Sequence, residues 1–268
     1  MVRGALVALA AAALLAGCGG GSPTAQTTVK QLRQFRILFP EGFTRAQMAA
    51  RVTAVAKIAD GEIHHRVKLT ARAYRAATRP RRIPGFGAKR LQMEGFLFPD
   101  TYFFDKTSTS AYLVQEQLSE FQAKWQTVDM SYARSKNLTP YDVLKIASMI
   151  QGESGTPGDN KLVAAVIYNR LHQGMALGID ATLRYGLHLA PGVSLTQTQL
   201  QSSSPYNTRN HTGLPPTPID NPGLAAIQAA AHPAHVDYLY YLKIPHSQRS
   251  YFTASYQDFL NHEQQYGY

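Results

Sequence analysis

The 268-residue sequence contains a single cysteine, Cys18. It also lacks any apolar run of the ~18–20 residues that a membrane-spanning helix needs. One cysteine excludes an internal disulfide framework and a cysteine-based zinc site. Acids are scarce, with 17 Asp and Glu against 27 Lys and Arg, so the formal net charge is +10. Because 44% of the residues are hydrophobic and only 16% charged, the composition is that of a globular chain with a real core.

The N-terminus has the pattern of an export signal. Arg3 supplies a positive charge, and residues 4–15 are almost all Ala, Leu and Val. The stretch closes with the letters LAGC, which resemble a bacterial lipobox whose Cys is lipidated after cleavage. The sequence therefore predicts a signal peptide over residues 1–17, a lipid anchor at Cys18 and a glycine-rich tether over 18–28. The alternative is an ordinary apolar leader with an incidental cysteine, and in both cases the mature chain lies outside the cytoplasm.

Basic residues are concentrated near the N-terminus. Residues 28–90 hold 15 Lys and Arg against three acids, whereas residues 91–268 hold 11 Lys and Arg against 14 acids. Nucleic acid is the usual partner of a basic region, but an exported chain rarely meets it. Anionic lipid headgroups and acidic wall polymers fit the compartment better. A solvated basic face without a partner is the alternative interpretation.

Hydrophobic periodicity and capping residues predict an α+β fold of short strands and amphipathic helices. The basic region shows the order strand, turn, helix, helix, which resembles a small LysM-like module, and a Pro/Gly/Arg-rich linker follows it. Predicted helices cover residues 44–58, 61–77, 110–125, 139–153, 161–173, 221–231 and a terminal stretch from 256. Predicted strands cover residues 34–39, 179–186, 237–243 and 250–253 and part of the aromatic run 94–104. The strand over 250–253 is expected to pair with the strand over 237–243.

One acid continues an apolar stripe. A helix is predicted to begin at the cap Thr139, and its core-facing stripe comprises Val143, Ile146, Ala147 and Ile150. The next position of the stripe is Glu153. A carboxyl there is expected to be partly desolvated, which raises its pKa toward the range of a general acid. The alternative is a helix-terminal Glu that turns outward into solvent.

Two other chemistries find little support. Ser154 completes the first half of a G-x-S-x-G nucleophile elbow, but Thr156 occupies the last place and no strand is predicted just ahead. A metal site is not predicted, because the sequence has no H-E-x-x-H motif and Pro233 interrupts the pair His232 and His235.

A long polar loop over residues 204–219 is typical of a functional segment. Its tyrosine, asparagine and threonine side chains lie on a frame stiffened by prolines. Such a loop suits sugar binding, because an aromatic ring stacks on a sugar while amides and hydroxyls bond its OH groups.

Five segments, in this order, resemble the YceG-like (MltG) family of endolytic murein transglycosylases. They are EGFLFPDTY (94–102), LKIASMIQGES (144–154), AAVIYNRLHQGMALGIDATLRYG (164–186), SPYNTRNHTGLPPTPIDNPG (204–223) and AIQAAAHPAHVDYLYYL (226–242). The resemblance implies a LysM-like region over residues 29–90 and a lysozyme-like catalytic domain over 91–268. It implies cofactor-free cleavage of nascent peptidoglycan strands between N-acetylmuramic acid and N-acetylglucosamine, with a 1,6-anhydro end as product. It further implies a membrane-proximal enzyme close to the peptidoglycan polymerases, with no nucleic-acid partner.

The sequence departs from the family at two places. Many relatives have two Glu residues in the segment matching 151–153, whereas Gln151 leaves Glu153 as the sole candidate for the catalytic acid. Relatives commonly have an N-terminal transmembrane helix, whereas this chain shows a lipobox.

Five polar residues are candidates for contacts in the cleft: Asn169, Asp180, Tyr206, Asn207 and Thr212. The main alternative is a non-catalytic wall-binding lipoprotein, supported by Gln151 alone. A pyridoxal phosphate lyase lacks an evident cofactor-anchoring lysine.

Overall fold

A computed structural model describes residues 32–153 and 156–267. The predicted signal peptide, the Cys18 anchor, the tether and Ser154 therefore lie outside the described residues. Arg33–Tyr268 forms one compact unit. The boundary that we expect at residue 90 falls inside this unit, so the division into a LysM-like and a catalytic domain stays a prediction.

The described residues form a mixed α+β architecture, which confirms the predicted fold class. The helices are α1 Arg45–Ile63, α2 Ala71–Ala77, α3 Ser110–Trp125, α4 Ser131–Ser135, α5 Pro140–Glu153, α6 Asn160–His172, α7 Asp180–Gly186, α8 Gln197–Leu200, α9 Leu224–Ala231 and α10 Tyr256–Tyr266. The strands are β1 Phe35–Leu38, β2 Thr101–Phe104, β3 Tyr240–Lys243 and β4 Ser250–Thr253.

The strands form two small antiparallel sheets. β1 pairs with β2, with Phe35 opposite Phe104 and Leu38 opposite Thr101. β3 pairs with β4, which confirms the pairing expected near the C-terminus. The β1–β2 pairing joins the beginning of the basic region to a segment more than sixty residues further along the chain, so the two regions share a sheet.

The starts of α1 and α5 follow from capping residues. The Thr44 hydroxyl accepts a hydrogen bond from the Gln47 backbone, and the Gln47 side chain accepts one from the Thr44 N–H at 2.7 Å. The same reciprocal arrangement joins Thr139 and Asp142 at the start of α5. Both capping boxes join residues only three positions apart, so the spacing in the sequence is sufficient to indicate them.

α5 is the centre of the core. It packs against α6, α7 and α9. The predicted stripe is confirmed, since Val143, Ile146, Ala147 and Ile150 are fully buried. Burial of this face fixes the orientation of α5, and its C-terminal turn presents Gln151, Gly152 and Glu153 to the neighbouring elements.

The predicted strand over residues 179–186 is wrong, because this segment forms helix α7. Thr182 and Leu183 are both buried, and adjacent positions cannot both face inward on one side of a strand. The Thr182 hydroxyl donates to the Ile179 carbonyl at 2.6 Å, which satisfies a backbone group at the start of the helix. Tertiary packing therefore overrides the strand-like composition of this segment.

The second predicted helix of the basic region begins later than expected. α1 continues to Ile63 and ends at His64, which adopts a left-handed conformation with φ 48°. The chain then runs in an irregular segment until Thr70, whose hydroxyl caps α2. The expected start near residue 61 is thus wrong, because that stretch still belongs to α1.

Candidate active site

Glu153 is the last residue of α5, and its side chain is half-buried. The hydroxyl of Tyr241, on β3, donates a hydrogen bond to Glu153 Oε2 at 3.2 Å. The backbone N–H of Ala181, in the first turn of α7, donates to the same carboxylate. Three elements that are distant in sequence therefore meet at this one carboxyl.

The surroundings of Glu153 favour its protonated form. Burial is the largest effect on the pKa of this carboxyl and raises it, and the negative charge of Asp180 acts in the same direction. The hydrogen bonds from Ala181 and Tyr241 and the charge of Lys243 lower the pKa by less. The net result is a raised pKa, so Glu153 retains its proton at a higher pH than an exposed glutamic acid and is suited to proton donation.

Asp180 lies beside this site but is held in ion pairs. Its Oδ1 accepts hydrogen bonds from Arg209 Nε at 2.9 Å and from Arg209 Nη2 at 2.7 Å. Nη2 of Arg184, one turn along α7, lies 3.7 Å from Oδ2 of Asp180. Arg209 belongs to the polar loop that was predicted to bind sugar. The ion pair between Asp180 and Arg209 therefore connects the surroundings of Glu153 to the polar loop.

Tyr206 and Thr212 lie at different places on the polar loop. The Tyr206 hydroxyl shares a hydrogen bond of 2.9 Å with Thr217, and its ring packs edge-on against Tyr185 at 5.2 Å between centroids. Thr212 is exposed and pairs through its backbone with Ala176. Tyr206 is therefore oriented by its neighbours, whereas Thr212 is open to solvent.

The amides of Asn207 and Asn169 are occupied by the protein itself. Asn207 is fully buried, and its Nδ2 donates to the carbonyls of Leu200 and Ser202 at 3.0 and 2.8 Å. Nδ2 of Asn169 donates at 2.9 Å to two carbonyls of the segment that leads into β3, those of residues 236 and 238. These contacts hold a loop and the segment leading into β3 in position, and the substrate contacts of both residues stay predictions.

A cleft of about 680 Å³ opens beside the last turn of α5. Gly152 and Ala181, which flank the site of Glu153, belong to its wall. Other lining residues include Gly42, Arg45, Glu94, Gln151, Arg184, Tyr185, Ile219 and Asp220. A Cβ at Gly152 would lie 3.0 Å from the Ala181 Cβ, so glycine allows α7 to approach this turn closely.

Two buried acids, Glu94 and Asp220, line this cleft, and no sequence pattern predicts them. Glu94 Oε1 accepts hydrogen bonds from the Arg45 N–H at 2.7 Å and from Asn221 Nδ2 at 2.8 Å, and Oε2 accepts one from Tyr185 at 3.1 Å. Burial raises the pKa of Glu94 to about 7 despite these bonds. The pKa of Asp220 is raised well above its usual range, also by burial first. Its Oδ1 is buried and finds no hydrogen-bond partner among the described residues.

The sequence contains only weak indications that Glu94, Tyr241 and Asp220 belong to the site. Glu94 is the first residue of the aromatic run 94–104, where an acid is costly unless it is hydrogen-bonded. Tyr241 lies in a stretch with three tyrosines, and nothing in that pattern indicates which of them reaches Glu153. Asp220 stands next to Asn221 near several prolines, without a motif of its own.

Within residues 32–153 and 156–267, no group of three His, Cys, Asp or Glu side chains is placed to hold a metal ion. In the same part of the chain, none of the helices combines the length and apolarity that crossing a bilayer requires.

The model of the YceG-like family matches residues 21–265, and the chain belongs to this family. It is 30% identical over 237 residues to the endolytic murein transglycosylase of Streptococcus pneumoniae, an alignment that covers 83% of this chain and 43% of that protein. It is 35% identical over 153 residues to the endolytic murein transglycosylase of Bacillus subtilis, covering 56% of this chain and 41% of that protein. The chain thus spans less than half the length of these curated relatives.

A solved structure shares the fold. The crystal structure of a yceG-like protein from Listeria monocytogenes aligns with a TM-score of 0.67 at 27% sequence identity. The alignment covers 84% of this chain and 75% of that chain. The family membership therefore extends to the three-dimensional arrangement.

Proposed function

We propose that this protein is an endolytic peptidoglycan lytic transglycosylase with Glu153 as its acid and base. The observation that carries the proposal is the environment of Glu153, a half-buried carboxyl with a raised pKa and hydrogen bonds from Tyr241 and Ala181. Membership of the YceG-like family and similarity to two proteins named endolytic murein transglycosylase support the same activity.

In the proposed reaction, protonated Glu153 donates its proton to the glycosidic oxygen between N-acetylmuramic acid and N-acetylglucosamine. The bond from the anomeric carbon to this oxygen breaks, and the N-acetylglucosamine side leaves as an alcohol. The Glu153 carboxylate then takes the proton from the C6 hydroxyl of the muramic acid, whose oxygen attacks the anomeric carbon. A 1,6-anhydro ring closes and Glu153 is protonated again, so neither water nor a cofactor is consumed.

The proposal needs only one titrating carboxyl in contact with the reacting atoms. Glycosidases that retain or invert configuration use a second carboxylate as nucleophile or base. Asp180, the acid beside Glu153, is held by two hydrogen bonds from Arg209 and is therefore poorly placed to act as a free nucleophile. This favours attack by the hydroxyl of the substrate itself.

We propose that the glycan strand lies along the cleft at the C-terminal turn of α5. Asp180, Tyr206 and Thr212 are our candidates for direct contacts. Asn169 and Asn207 remain candidates from the sequence, but their amides are bonded to backbone carbonyls, and this favours a role in holding the surrounding loops.

The location and organisation of the chain form part of the same proposal. We propose a LysM-like region over residues 29–90 and a lysozyme-like catalytic domain over 91–268, both on the extracytoplasmic face of the membrane. Cys18 would carry the lipid anchor, and peptidoglycan polymerases would be neighbours of the enzyme.

Replacement of Cys18 by Ala is expected to move the protein from the membrane to a soluble or unprocessed fraction, and absence of lipid on the wild-type chain would refute the anchor.

The activity is tested by mass spectrometry of purified peptidoglycan after digestion. The wild-type chain should release products with 1,6-anhydro-muramyl ends. Glu153→Gln should lose about 10²–10⁴-fold in rate, the usual contribution of general acid–base catalysis, while the fold and glycan binding persist. Glu263→Gln, the same change in α10, is the matched control and should digest normally.

Binding without any product from the wild-type chain would favour the alternative, a wall-binding lipoprotein. Near wild-type release by Glu153→Gln would exclude Glu153 as the catalyst.

A further inference from the structure

Three large apolar side chains are exposed on one side of the molecule, around β1, β2 and α1. Leu38 is 53% exposed, Ile58 61% and Phe103 57%. Leu38 and Phe103 share the outer face of the β1–β2 sheet, because the alternating residues Ile37 and Tyr102 are buried beneath it. We call these three side chains the apolar face.

A groove of about 410 Å³ connects α1 with this sheet. Ile58 lines one wall and Phe103 lines the other. The remaining lining residues are Gln34, Phe35, Arg36, Val55, Ala59 and Glu62. The two most exposed members of the apolar face therefore face a common space, and they are not isolated surface residues of the kind that any protein shows.

Two basic side chains, Arg36 and Lys57, lie beside members of the apolar face. Arg36 lies opposite Phe103 in the sheet, and Lys57 is the exposed neighbour of Ile58 in α1. Glu62, the acid of the groove, is paired with Arg33, whose guanidinium lies 5.4 Å from the centre of the Phe35 ring. The acid of the groove is thus neutralised. Asp100, which directly precedes β2, is an exposed acid at the edge of this surface.

We propose that the apolar face, with its basic surroundings, docks onto the surface of an anionic lipid bilayer. Apolar side chains that enter the boundary between headgroups and acyl chains, next to Arg and Lys that contact lipid phosphates, are the two components of interfacial membrane binding. The concentration of 15 Lys and Arg against three acids in residues 28–90 supplies the matching field.

The position of the face in the chain supports a bilayer as the partner. β1 carries Arg36 and Leu38 and is the first element of the described chain. Cys18, the proposed anchor, precedes Arg33 by 15 residues. A fully extended chain of that length reaches at most about 50 Å, so an anchor at Cys18 keeps the apolar face within reach of the membrane, and this step rests on the anchor of the proposed function. This docking would fix the orientation of the molecule on the bilayer, which goes beyond the proposed reaction and does not depend on Glu153.

The test uses the full chain reconstituted in vesicles of phosphatidylglycerol and phosphatidylcholine whose acyl chains carry bromine, a quencher of tryptophan fluorescence. Phe103→Trp places a reporter on the apolar face. Tyr256→Trp is the matched control, because Tyr256 is also 57% exposed but lies on α10. The native Trp125 is common to both variants and is subtracted with the wild-type signal. The tether is the same in both, so only contact of the face with lipid can separate them.

Docking predicts at least twofold stronger quenching of Phe103→Trp than of Tyr256→Trp, and weaker quenching when Arg36→Glu is added. Equal quenching of the two reporters would overturn the proposal. Undiminished quenching in vesicles of phosphatidylcholine alone would overturn the requirement for anionic lipid. A blue shift of the Phe103→Trp emission that grows with protein concentration without vesicles would indicate a second copy on this face, and loss of quenching on addition of peptidoglycan would indicate a wall polymer. Either result would also overturn the proposal.

Discussion

The hydroxyl of Tyr241 lies 3.2 Å from Oε2 of Glu153, although the two residues are 88 positions apart in the chain. Burial, followed by the charge of Glu153, raises the pKa of Tyr241 well above its usual range, so the phenol remains protonated and donates this bond. The ring of Tyr241 packs against Phe252 of the paired strand at 5.7 Å between centroids. β3 therefore supplies Glu153 with a fixed donor that stabilises the carboxylate.

Tyr241→Phe is expected to raise the pKa of Glu153 further. The substitution keeps the ring contact with Phe252 but removes a donor to the ionised carboxyl, and a hydrogen bond to a charged group corresponds to about one to two pH units. If Glu153 acts as a general acid, activity falls as pH rises through its pKa. The alkaline limb of the pH–rate profile for peptidoglycan cleavage should thus move to higher pH, and an unmoved limb would show that this bond does not tune the catalytic acid.

Asp180→Asn is expected to have the opposite effect. The charge of Asp180 raises the pKa of Glu153, so its removal should shift the alkaline limb to lower pH. Arg209→Gln is the complementary change, because it exposes the charge of Asp180 by removing its main partner and should shift the limb upward. If both variants shift the limb in the same direction, the effect comes from movement of the polar loop and the electrostatic account is wrong.

Glu94 predicts a pH dependence of stability. Its pKa is about 7 in the fold against 4.5 for the free side chain, so the folded state binds the proton more tightly. The stability from this group is fully present below pH 4.5 and is lost as pH rises toward 7, by about 3 kcal/mol at 1.36 kcal/mol per pKa unit. Glu94→Gln can keep both N–H bonds at its carbonyl, and its amide can donate to Tyr185.

Urea unfolding at pH 5 and pH 8 measures this effect. The wild-type free energy of unfolding should fall between the two pH values, and Glu94→Gln should fall by less. Asp220, whose pKa is also raised, contributes in the same direction, so Asp220→Asn should also reduce the fall in the free energy of unfolding between pH 5 and pH 8. If the wild type and Glu94→Gln lose the same free energy of unfolding over this range, Glu94 is not protonated in the fold.

Asn207 and Thr212 should separate a loop-holding role from substrate contact. Asn207→Ala leaves the carbonyls of Leu200 and Ser202 without their donor and should cost about 1–3 kcal/mol of stability. Thr212 is exposed, so Thr212→Ala should change stability by less than about 0.5 kcal/mol. Thermal or urea unfolding measures both. A normal stability of Asn207→Ala, together with a raised KM, would instead support the contact with substrate that the sequence suggests.

Local patterns were sufficient for much of the fold. The capping boxes at Thr44 and Thr139, the buried stripe of α5 and the strand pair near the C-terminus all depend on neighbouring residues or on a simple period. The helix α7 was not predictable in this way. Ile179, Thr182 and Tyr185 are residue types that are compatible with a strand. Only the packing of this segment beside α5, together with the bond from Thr182 to Ile179, selects the helix.

The sequence by itself determined the family and singled out Glu153, because a periodic apolar stripe and ordered motifs are properties of the linear chain. Only the tertiary structure decided what surrounds that carboxyl. Hydrogen bonds from Tyr241 and Ala181, the pairing of Asp180 with Arg209, and the buried pair Glu94 and Asp220 all join residues that no local pattern connects. The physical reason is that a pKa depends on desolvation and on charges close in space, and both exist only after α5, α7, β3 and the polar loop have packed together.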